Sequence, residues 1–193
     1  MLPNRFNKLG VGESTSAVIP LTLTATQVNS TVKLTATGSP NVSGLQFRTN
    51  TDKQWTNYTI DAVITLSNVG DFVQFQNTQN TLSTSVSNYV KFVMTGKING
   101  SGSVQSMLNY SAACNDYCYY YLFYGCTSLL TAPDLPSTVL ASNCYRGMFN
   151  WCTSLVTAPE LPASVLATSC YQYLFRNCTS LTTAPELSAT NLA

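Results

Sequence analysis

The chain has 193 residues, of which 45% are hydrophobic and only 9% are charged, with a formal net charge of +1. This length allows one or two domains with a sizeable core, and the near-neutral charge argues against a nucleic-acid partner. The sequence contains no histidine, which removes the usual general base, and no apolar run is long enough for insertion into a membrane.

Residues 1–16 are predicted to form an N-terminal tail. They contain Gly10 and Gly12 and show little apolar periodicity. No apolar run of about 7 to 15 residues follows the basic residues, so no secretory signal is expected. Two interpretations stand: a disordered terminus, or an anchor peptide that orders on docking to another protein. In the second case the contacts are assigned to Arg5, Phe6 and Leu9.

Residues 17–98 show the alternation of apolar and polar side chains that is typical of β-strands. Val32 and Leu34 alternate with Lys33, and Val73 and Phe75 alternate with Gln74. Similar segments surround Leu45 and Phe92, and Gly, Pro, Asn and Asp separate the segments. Seven or so short strands at this spacing predict an antiparallel β-sandwich. Trp55 and Tyr58 are interpreted as aromatics of its core and rim.

Residues 99–117 begin with Asn99-Gly100-Ser101-Gly102-Ser103, a composition that favours a flexible connection. Apolar Val104, Met107 and Leu108 follow at once. We therefore expect a hinge together with a cap that covers the apolar face of the first repeat.

Residues 118–193 repeat a unit of 26 residues almost three times. Each unit opens with Cys-Tyr, has a Phe four residues after that Tyr, then Cys-Thr-Ser-Leu and a Pro-Asp/Glu-Leu motif. The matching positions are Cys118, Cys144, Cys170; Phe123, Phe149, Phe175; and Cys126, Cys152, Cys178. A fixed period of this length predicts a solenoid, in which each unit buries its apolar face against its neighbours.

The first nine residues of each unit are predicted to be helical. At about 100° per residue, Cys118, Tyr119, Leu122, Phe123 and Cys126 share one face, and the same face recurs in the next two units. Side chains off this face differ between units and are expected to point outward. The candidate binding surface consists of Tyr120, Tyr121, Tyr124, Arg146, Trp151, Tyr173 and Arg176. Aromatic and arginine side chains are enriched at binding hot spots, and the alternative is that this surface joins copies of the protein.

A short extended segment follows each predicted helix, because proline excludes a helix there. Period-two alternation places Leu135, Leu161 and Leu187 inward and an acidic column outward. The acidic column consists of Asp134, Glu160 and Glu186. It is a possible calcium site, and the alternative is that solvent screens these exposed charges.

The seven cysteines are predicted to be free thiols in buried columns. On a helix, Cys118 and Cys126 lie about 12 Å apart, beyond the reach of a disulfide. Cys114 is expected to be the most exposed. Cysteine spacings do not match zinc sites, no phosphate-binding glycine loop is present, and the carboxylates outside the repeats are scattered, so we expect neither an enzyme nor a cofactor.

The segment Cys144–Pro162, which reads CYRGMFNWCTSLVTAPELP, resembles the BspA-type leucine-rich repeats of gut Bacteroidales bacteria and their phages. Those repeats read CY..MF.GCTSLTTAPELPAT.LA, and the likeness extends over residues 118–193. The resemblance implies a surface-displayed binding role and a curved solenoid, preceded by a β domain. The expected fold is thus mixed: an antiparallel β-sandwich followed by a short leucine-rich-repeat-like α/β solenoid.

Two functions are consistent with these features. The first is a phage virion structural protein (head fibre, decoration or tail-associated) at the virion surface. It would contact other virion proteins through its N-terminus and a host surface protein or glycan through its repeats. The alternative is a bacterial cell-surface adhesin or glycan-binding module. Virion fibres are usually symmetric, so a homo-oligomer is expected, with a trimer favoured.

Overall fold

The computed structural model describes residues 18–189 and 191–192, and these residues are rich in β-structure. The predicted anchor residues Arg5, Phe6 and Leu9 lie outside this range. The strands of the described residues are β1 (Leu21–Ala25), β2 (Ser30–Thr37), β3 (Leu45–Thr49), β4 (Thr56–Asn57), β5 (Ile64–Leu66), β6 (Phe72–Asn77), β7 (Tyr89–Thr95), β8 (Ile98–Ser101), β9 (Leu129–Thr131), β10 (Val165–Leu166) and β11 (Asn191–Leu192). The described residues contain one helix, a 3-10 helix at Val104–Leu108.

Strands β1 to β9 form two packed sheets. One sheet has the order β4-β3-β6-β1-β8-β9, and its pairs are antiparallel except for the parallel pair β8–β9. The other sheet has the antiparallel order β5-β2-β7. Phe75 of β6 meets Phe92 of β7 with ring centroids 5.2 Å apart, so the sheets share a core. The β-rich prediction for this region is confirmed.

The predicted alternation fixes which side chains enter this core. Val32, Leu34, Val73 and Phe75 are all buried, because each faces the opposite sheet. Tyr58 is also buried, and its hydroxyl accepts a hydrogen bond from the Leu34 amide (2.9 Å) and donates one to the Ala62 carbonyl (2.6 Å). Burial of this phenol is therefore matched by two hydrogen bonds.

The residues that follow the sheets continue them. Strand β8, where the sequence indicates a hinge, lies between β1 and β9, and the boundary expected after residue 98 falls inside this strand. The 3-10 helix is capped by Ser103, whose hydroxyl accepts from the Gln105 amide (3.1 Å). Ser106 is buried and donates to the Phe75 carbonyl (2.8 Å). The connection is thus an integral part of the core.

The first nine residues of each repeat are not helical, so the helix prediction is wrong. Each segment is a ribbon of consecutive turns with a left-handed residue at every fourth position. These residues are Tyr117, Tyr121, Gly125, Asn143, Gly147, Trp151, Ser169, Tyr173 and Asn177, with φ between 54° and 74°. A left-handed residue at this spacing breaks the continuous right-handed backbone that a helix requires.

Hydrogen bonding in the turn ribbons divides between each unit and the next. Even-numbered amides bond within the unit, as Tyr120 does to the Tyr117 carbonyl (2.9 Å). Odd-numbered amides bond to the following unit, as Tyr119 does to the Cys144 carbonyl (2.9 Å). Five such bonds join the first unit to the second and five join the second to the third. Because the backbone groups are buried, this division satisfies them without a helix or a long strand.

The inward columns stack as the repeat predicts. Phe123 and Phe149 are parallel at 5.5 Å, and Phe149 and Phe175 at 5.7 Å. The column continues into the sheets, since Phe92 of β7 stacks on Phe123 at 4.9 Å. The Phe92 amide also donates to the Leu122 carbonyl (2.7 Å). Strand β7 therefore covers the first repeat together with residues of the expected cap 99–117, where β8 pairs with β9 and the Val104 carbonyl accepts from the Tyr119 hydroxyl (3.0 Å).

The extended segments make only short parallel pairings. Strand β9 pairs with β8, and β10 pairs with β11. Between the repeats, single bridges join Thr131 to Thr157 and Leu161 to Leu187. Short ladders are expected because the prolines lack an amide donor. Leu135 and Leu161 are buried as predicted, whereas Leu187 is 58% exposed. The inward position of Leu187 is thus not realised.

The seven cysteines are free and buried, as predicted, although the helix argument used for them fails. The thiols of Cys126, Cys152 and Cys178 each donate to the carbonyl of a Phe one layer earlier, at 3.3, 3.1 and 3.0 Å. Cys114 is only 7% exposed, which corrects the expectation that it is the most accessible.

Candidate binding surface

The positions between the inward columns of the turn ribbons form a grid of four columns across three units, in which Tyr120, Gly147 and Asn150 are buried and the other positions are at least partly exposed. Its rows contain the four positions Tyr120, Tyr121, Tyr124, Gly125 in the first unit; Arg146, Gly147, Asn150, Trp151 in the second; and Gln172, Tyr173, Arg176, Asn177 in the third. The ribbon hydrogen bonds fix the spacing of the rows. The predicted binding residues are therefore brought together on one face.

A tyrosine cluster occupies the first row and the strand beneath it. It consists of Tyr89, Tyr117, Tyr120, Tyr121 and Tyr124. Tyr120 stacks on Tyr121 at 4.1 Å, and Tyr121 on Tyr124 at 4.6 Å. Tyr89 of β7 meets Tyr120 edge-on at 5.3 Å. Such geometries are the favourable ones for aromatic pairs, so the cluster is a rigid block.

Tyr120 corrects the prediction, because its side chain is only 6% exposed. The rings of Tyr89, Tyr117 and Tyr121 surround it. Burial raises the pKa of the Tyr120 hydroxyl, and the nearby Arg146 charge acts in the opposite direction. Tyr120 therefore supports the surface from below, whereas Tyr121 and Tyr124 remain half-buried.

An arginine–tyrosine cluster, defined as Arg146, Tyr173 and Arg176, lies in the second and third rows. The guanidinium carbons of Arg146 and Arg176 lie 5.9 and 5.1 Å from the centroid of the Tyr173 ring. The Arg146 Nη1 donates to Asn143 Oδ1 (3.2 Å), and its Nε is buried with no hydrogen-bond partner. Both cations lie within the range of a cation–π interaction with one ring.

Trp151 and Tyr173 are the most exposed aromatic residues of the grid. Trp151 is 50% exposed and Tyr173 44%. Both occupy left-handed backbone positions, as does Gly147, where a Cβ would fall 2.2 Å from the Tyr121 ring. The absence of a side chain at Gly147 lets Tyr121 lie flat against the second unit.

Tyr89 and Lys91 belong to this surface although the repeat alignment does not include them. Lys91 Nζ lies 5.5 Å from the Tyr124 ring centroid. The alternation in β7 does identify both as outward residues of that strand. What the sequence lacks is any sign that β7 lies beside the first repeat.

The carboxylates of the acidic column are carried by the other segment of each unit, and all three are exposed. Asp134 and Glu160 border a groove of about 360 Å³ with Leu135, Pro136 and Pro162. Glu160 and Glu186 border a second groove of about 480 Å³ between residues 156–162 and 182–188. Within residues 18–189, no group of His, Cys, Asp or Glu side chains is arranged to hold a metal ion. The calcium interpretation thus gains no support.

A thiol cluster lies behind the ribbons and consists of Cys114, Cys118 and Cys144, all of them buried, with the Cys118 thiol donating to the Cys144 carbonyl (4.0 Å). The Ser137 and Tyr145 hydroxyls are also buried, and neither has a hydrogen-bond partner. Burial raises the pKa of the Cys118 thiol, the neighbouring Cys114 and then burial raise that of Cys144, and these two neighbours lower the pKa of Cys114. The three thiols thus form a buried cluster.

Comparison with known proteins finds no family model, no curated protein and no solved structure that matches this chain. In the part of the chain that the structure describes, no helix has the length and hydropathy needed to cross a membrane. The function must therefore be inferred from the outward grid itself.

Proposed function

We propose that this chain is a structural protein of a phage virion, namely a head fibre, decoration or tail-associated protein, whose repeats bind the host surface. The single observation that carries the proposal is the outward grid, where aromatic and arginine side chains change from unit to unit on a repeated backbone. The inward Cys, Tyr and Phe positions are the same in all three units, whereas the positions of Arg146, Trp151 and Tyr173 are not. Variation confined to the outward face is typical of repeat proteins that bind other molecules.

The resemblance of residues 118–193 to BspA-type repeats supports a surface-displayed binding role. In this proposal the repeats form a short leucine-rich-repeat-like solenoid, and the two sheets support it at one end. The N-terminal residues Arg5, Phe6 and Leu9 are proposed to contact other virion proteins, and the chain is proposed to assemble as a homo-oligomer, with a trimer favoured.

A binding role is proposed here in place of catalysis or metal chemistry. Large exposed aromatics on a rigid frame lose little conformational entropy when a ligand covers them. The bacterial adhesin remains the alternative, because it uses the same surface. Mass spectrometry of purified phage particles separates the two: the virion proposal requires the chain in the particle, and recovery from the bacterial envelope alone would favour the adhesin.

The binding role is tested with the variants Trp151→Ala and Tyr173→Ala. We expect each to reduce binding of the labelled protein to Bacteroidales cells about tenfold, as for interface hot spots. Trp55→Ala is a matched control, because Trp55 lies in the sheet region and packs against Arg48 (4.5 Å). Light scattering measures the oligomer in parallel. Loss of the oligomer with unchanged cell binding would assign the surface to contacts between copies.

A further inference from the structure

We infer that the arginine–tyrosine cluster binds the anionic group of an acidic saccharide, a carboxylate or a sulfate ester. This inference rests on the proposed host-binding role and names the ligand class of the same surface. Arg146 and Arg176 both lie within 6 Å of the Tyr173 centroid, so two positive charges share one aromatic ring. Two guanidinium groups beside one ring concentrate positive charge on this part of the surface, and an anionic ligand is attracted to it.

No carboxylate of the described residues fills that role. Among residues 18–189, the one ion pair joins Lys33 Nζ to Asp61 Oδ1 (3.3 Å), in the sheet region. The acidic column is carried by the extended segments, and Asp134 and Glu160 line grooves that include none of the arginines. The cluster therefore retains its positive charge.

The guanidinium of Arg146 is held in place before any ligand arrives. Its Nη1 is bonded to Asn143, and its Nε is buried against the protein. A fixed guanidinium loses little side-chain entropy on binding, and its planar donors match the oxygens of a carboxylate or sulfate. Arg176, which is exposed, supplies a second donor group that can adjust to the ligand.

The neighbouring aromatic residues favour a saccharide as the carrier of the anion. Trp151 and Tyr173 are half-exposed, and the Trp151 amide bonds to the Arg176 carbonyl (2.9 Å), which places these residues in adjacent rows. Flat aromatic faces beside paired guanidinium groups suit a ring with an apolar face and a charged substituent. A nucleic acid is disfavoured, because the formal net charge is only +1 and the same repeats carry an acidic column.

The test measures binding of the full chain to three immobilised probes: a sulfated dextran oligosaccharide, a carboxylated oligogalacturonate and a neutral dextran oligosaccharide. We expect binding to at least one acidic probe, weakened by 0.5 M sodium chloride, and none to dextran. The double variant R146Q/R176Q is expected to lose roughly tenfold or more in affinity. Preference for one acidic probe distinguishes the carboxylate from the sulfate.

The control variant is R48Q, which removes one positive charge and one cation–π pair, with Trp55, from the sheet region. It is expected to bind like the unaltered chain. Adsorption to Bacteroidales cells is measured with the same proteins. Cell binding that R146Q/R176Q leaves intact, or equal binding to dextran, would overturn the acidic-saccharide inference and leave the host-binding role standing. Absence of cell binding by the unaltered chain would instead overturn the proposed function.

Discussion

The two regions of this chain satisfy their backbone in different ways but share one core. In the sheets, long ladders such as the seven-residue register of β2 with β7 pair the backbone. In the repeats, half of the ribbon amides bond within the unit and half bond to the next unit. The aromatic column of Phe92, Phe123 and Phe149 passes from one region to the other without a break.

This difference shows that side chains can stack in columns without an α-helix or a long β-strand as their backbone. A parallel stack of rings requires only that successive layers repeat at a constant spacing. The ribbons achieve this with inter-unit hydrogen bonds, and the thiols of Cys126, Cys152 and Cys178 add a donor to each layer. Outward residues are then free to differ, and this is where the proposed binding surface lies.

The largest expected effect comes from interrupting the shared column. Phe149 is fully buried between Phe123 and Phe175, so Phe149→Ala should lower the free energy of unfolding by about 3–5 kcal/mol. Phe75→Ala in the sheets should cost a similar amount. Because the core is continuous, we expect each variant to shift one cooperative transition of the whole molecule.

The chain provides a reporter for each region, since its two tryptophans, Trp55 and Trp151, lie one in the sheets and one in the repeats. Denaturation is followed by fluorescence in the W55F and W151F backgrounds. Coincident transitions are expected for the two reporters. If Phe149→Ala moved the Trp151 transition and left that of Trp55 in place, the regions would be separate folding units.

A smaller effect concerns the cysteine column, which has no counterpart in the sheets. Burial raises the pKa of the Cys126 thiol from 9.0 to about 12, and burial also raises the pKa of Cys152. Below pH 9 these thiols are protonated in both states, and their contribution to stability is complete. Above pH 9 only the unfolded chain ionises readily, so stability is lost between pH 9 and 12, by about 1.4 kcal/mol per pH unit and thiol.

This alkaline loss is measured from the free energy of unfolding between pH 8 and 10 in the presence of a reductant. The variant C126A/C152A, which removes both thiols without overpacking the core, should show a shallower decline. An equal decline in both proteins would mean that other groups, such as the buried tyrosines, are responsible.

The sequence predicts the sheets well because alternation is specific to strands. Val32 and Leu34 in β2, and Val73 and Phe75 in β6, all point inward as expected. The alternation could not predict that the larger sheet includes a parallel pair. Its strand β9 comes from the first repeat and joins β8 across a long separation in sequence. For the same reason the hinge was assigned to residues that form β8.

The sequence predicts the inward columns of the repeats but not their backbone. Cys118, Tyr119, Leu122, Phe123 and Cys126 share a face both in a helix and in a ribbon that repeats every four residues. Over nine residues, the 3.6-residue period of a helix and the four-residue period of the ribbon accumulate a difference of only about 80° in side-chain direction. The inward pattern therefore fits both backbones. Gly and Asn at four-residue spacing, as in Asn143 and Gly147, were the signal that favoured the ribbon.

The candidate surface was predicted in part. Trp151, Tyr173 and Arg176 are exposed where the repeat alignment places them, because positions that vary between units face outward. Tyr120 is buried, because Tyr89 of β7 covers it, and a contact with another region cannot be read from the period of the repeat. The pairing of Arg146 with Tyr173 likewise depends on the stacking of two units.

The smallest expected effect decides between the ribbon and a helix by its sign. Ser169 has a φ of 54°, which costs a residue with a Cβ about 1–2 kcal/mol in the left-handed region. Ser169→Gly removes that cost and adds backbone entropy to the unfolded chain, so we expect a net gain of up to about 1 kcal/mol. Gln172→Gly, an exposed position outside the left-handed set, should instead lose about 0.5–1 kcal/mol. In a helix both changes would destabilise the protein by about 1 kcal/mol. Changes of opposite sign in the melting temperatures of the two variants therefore require the ribbon. Changes of the same sign would contradict it.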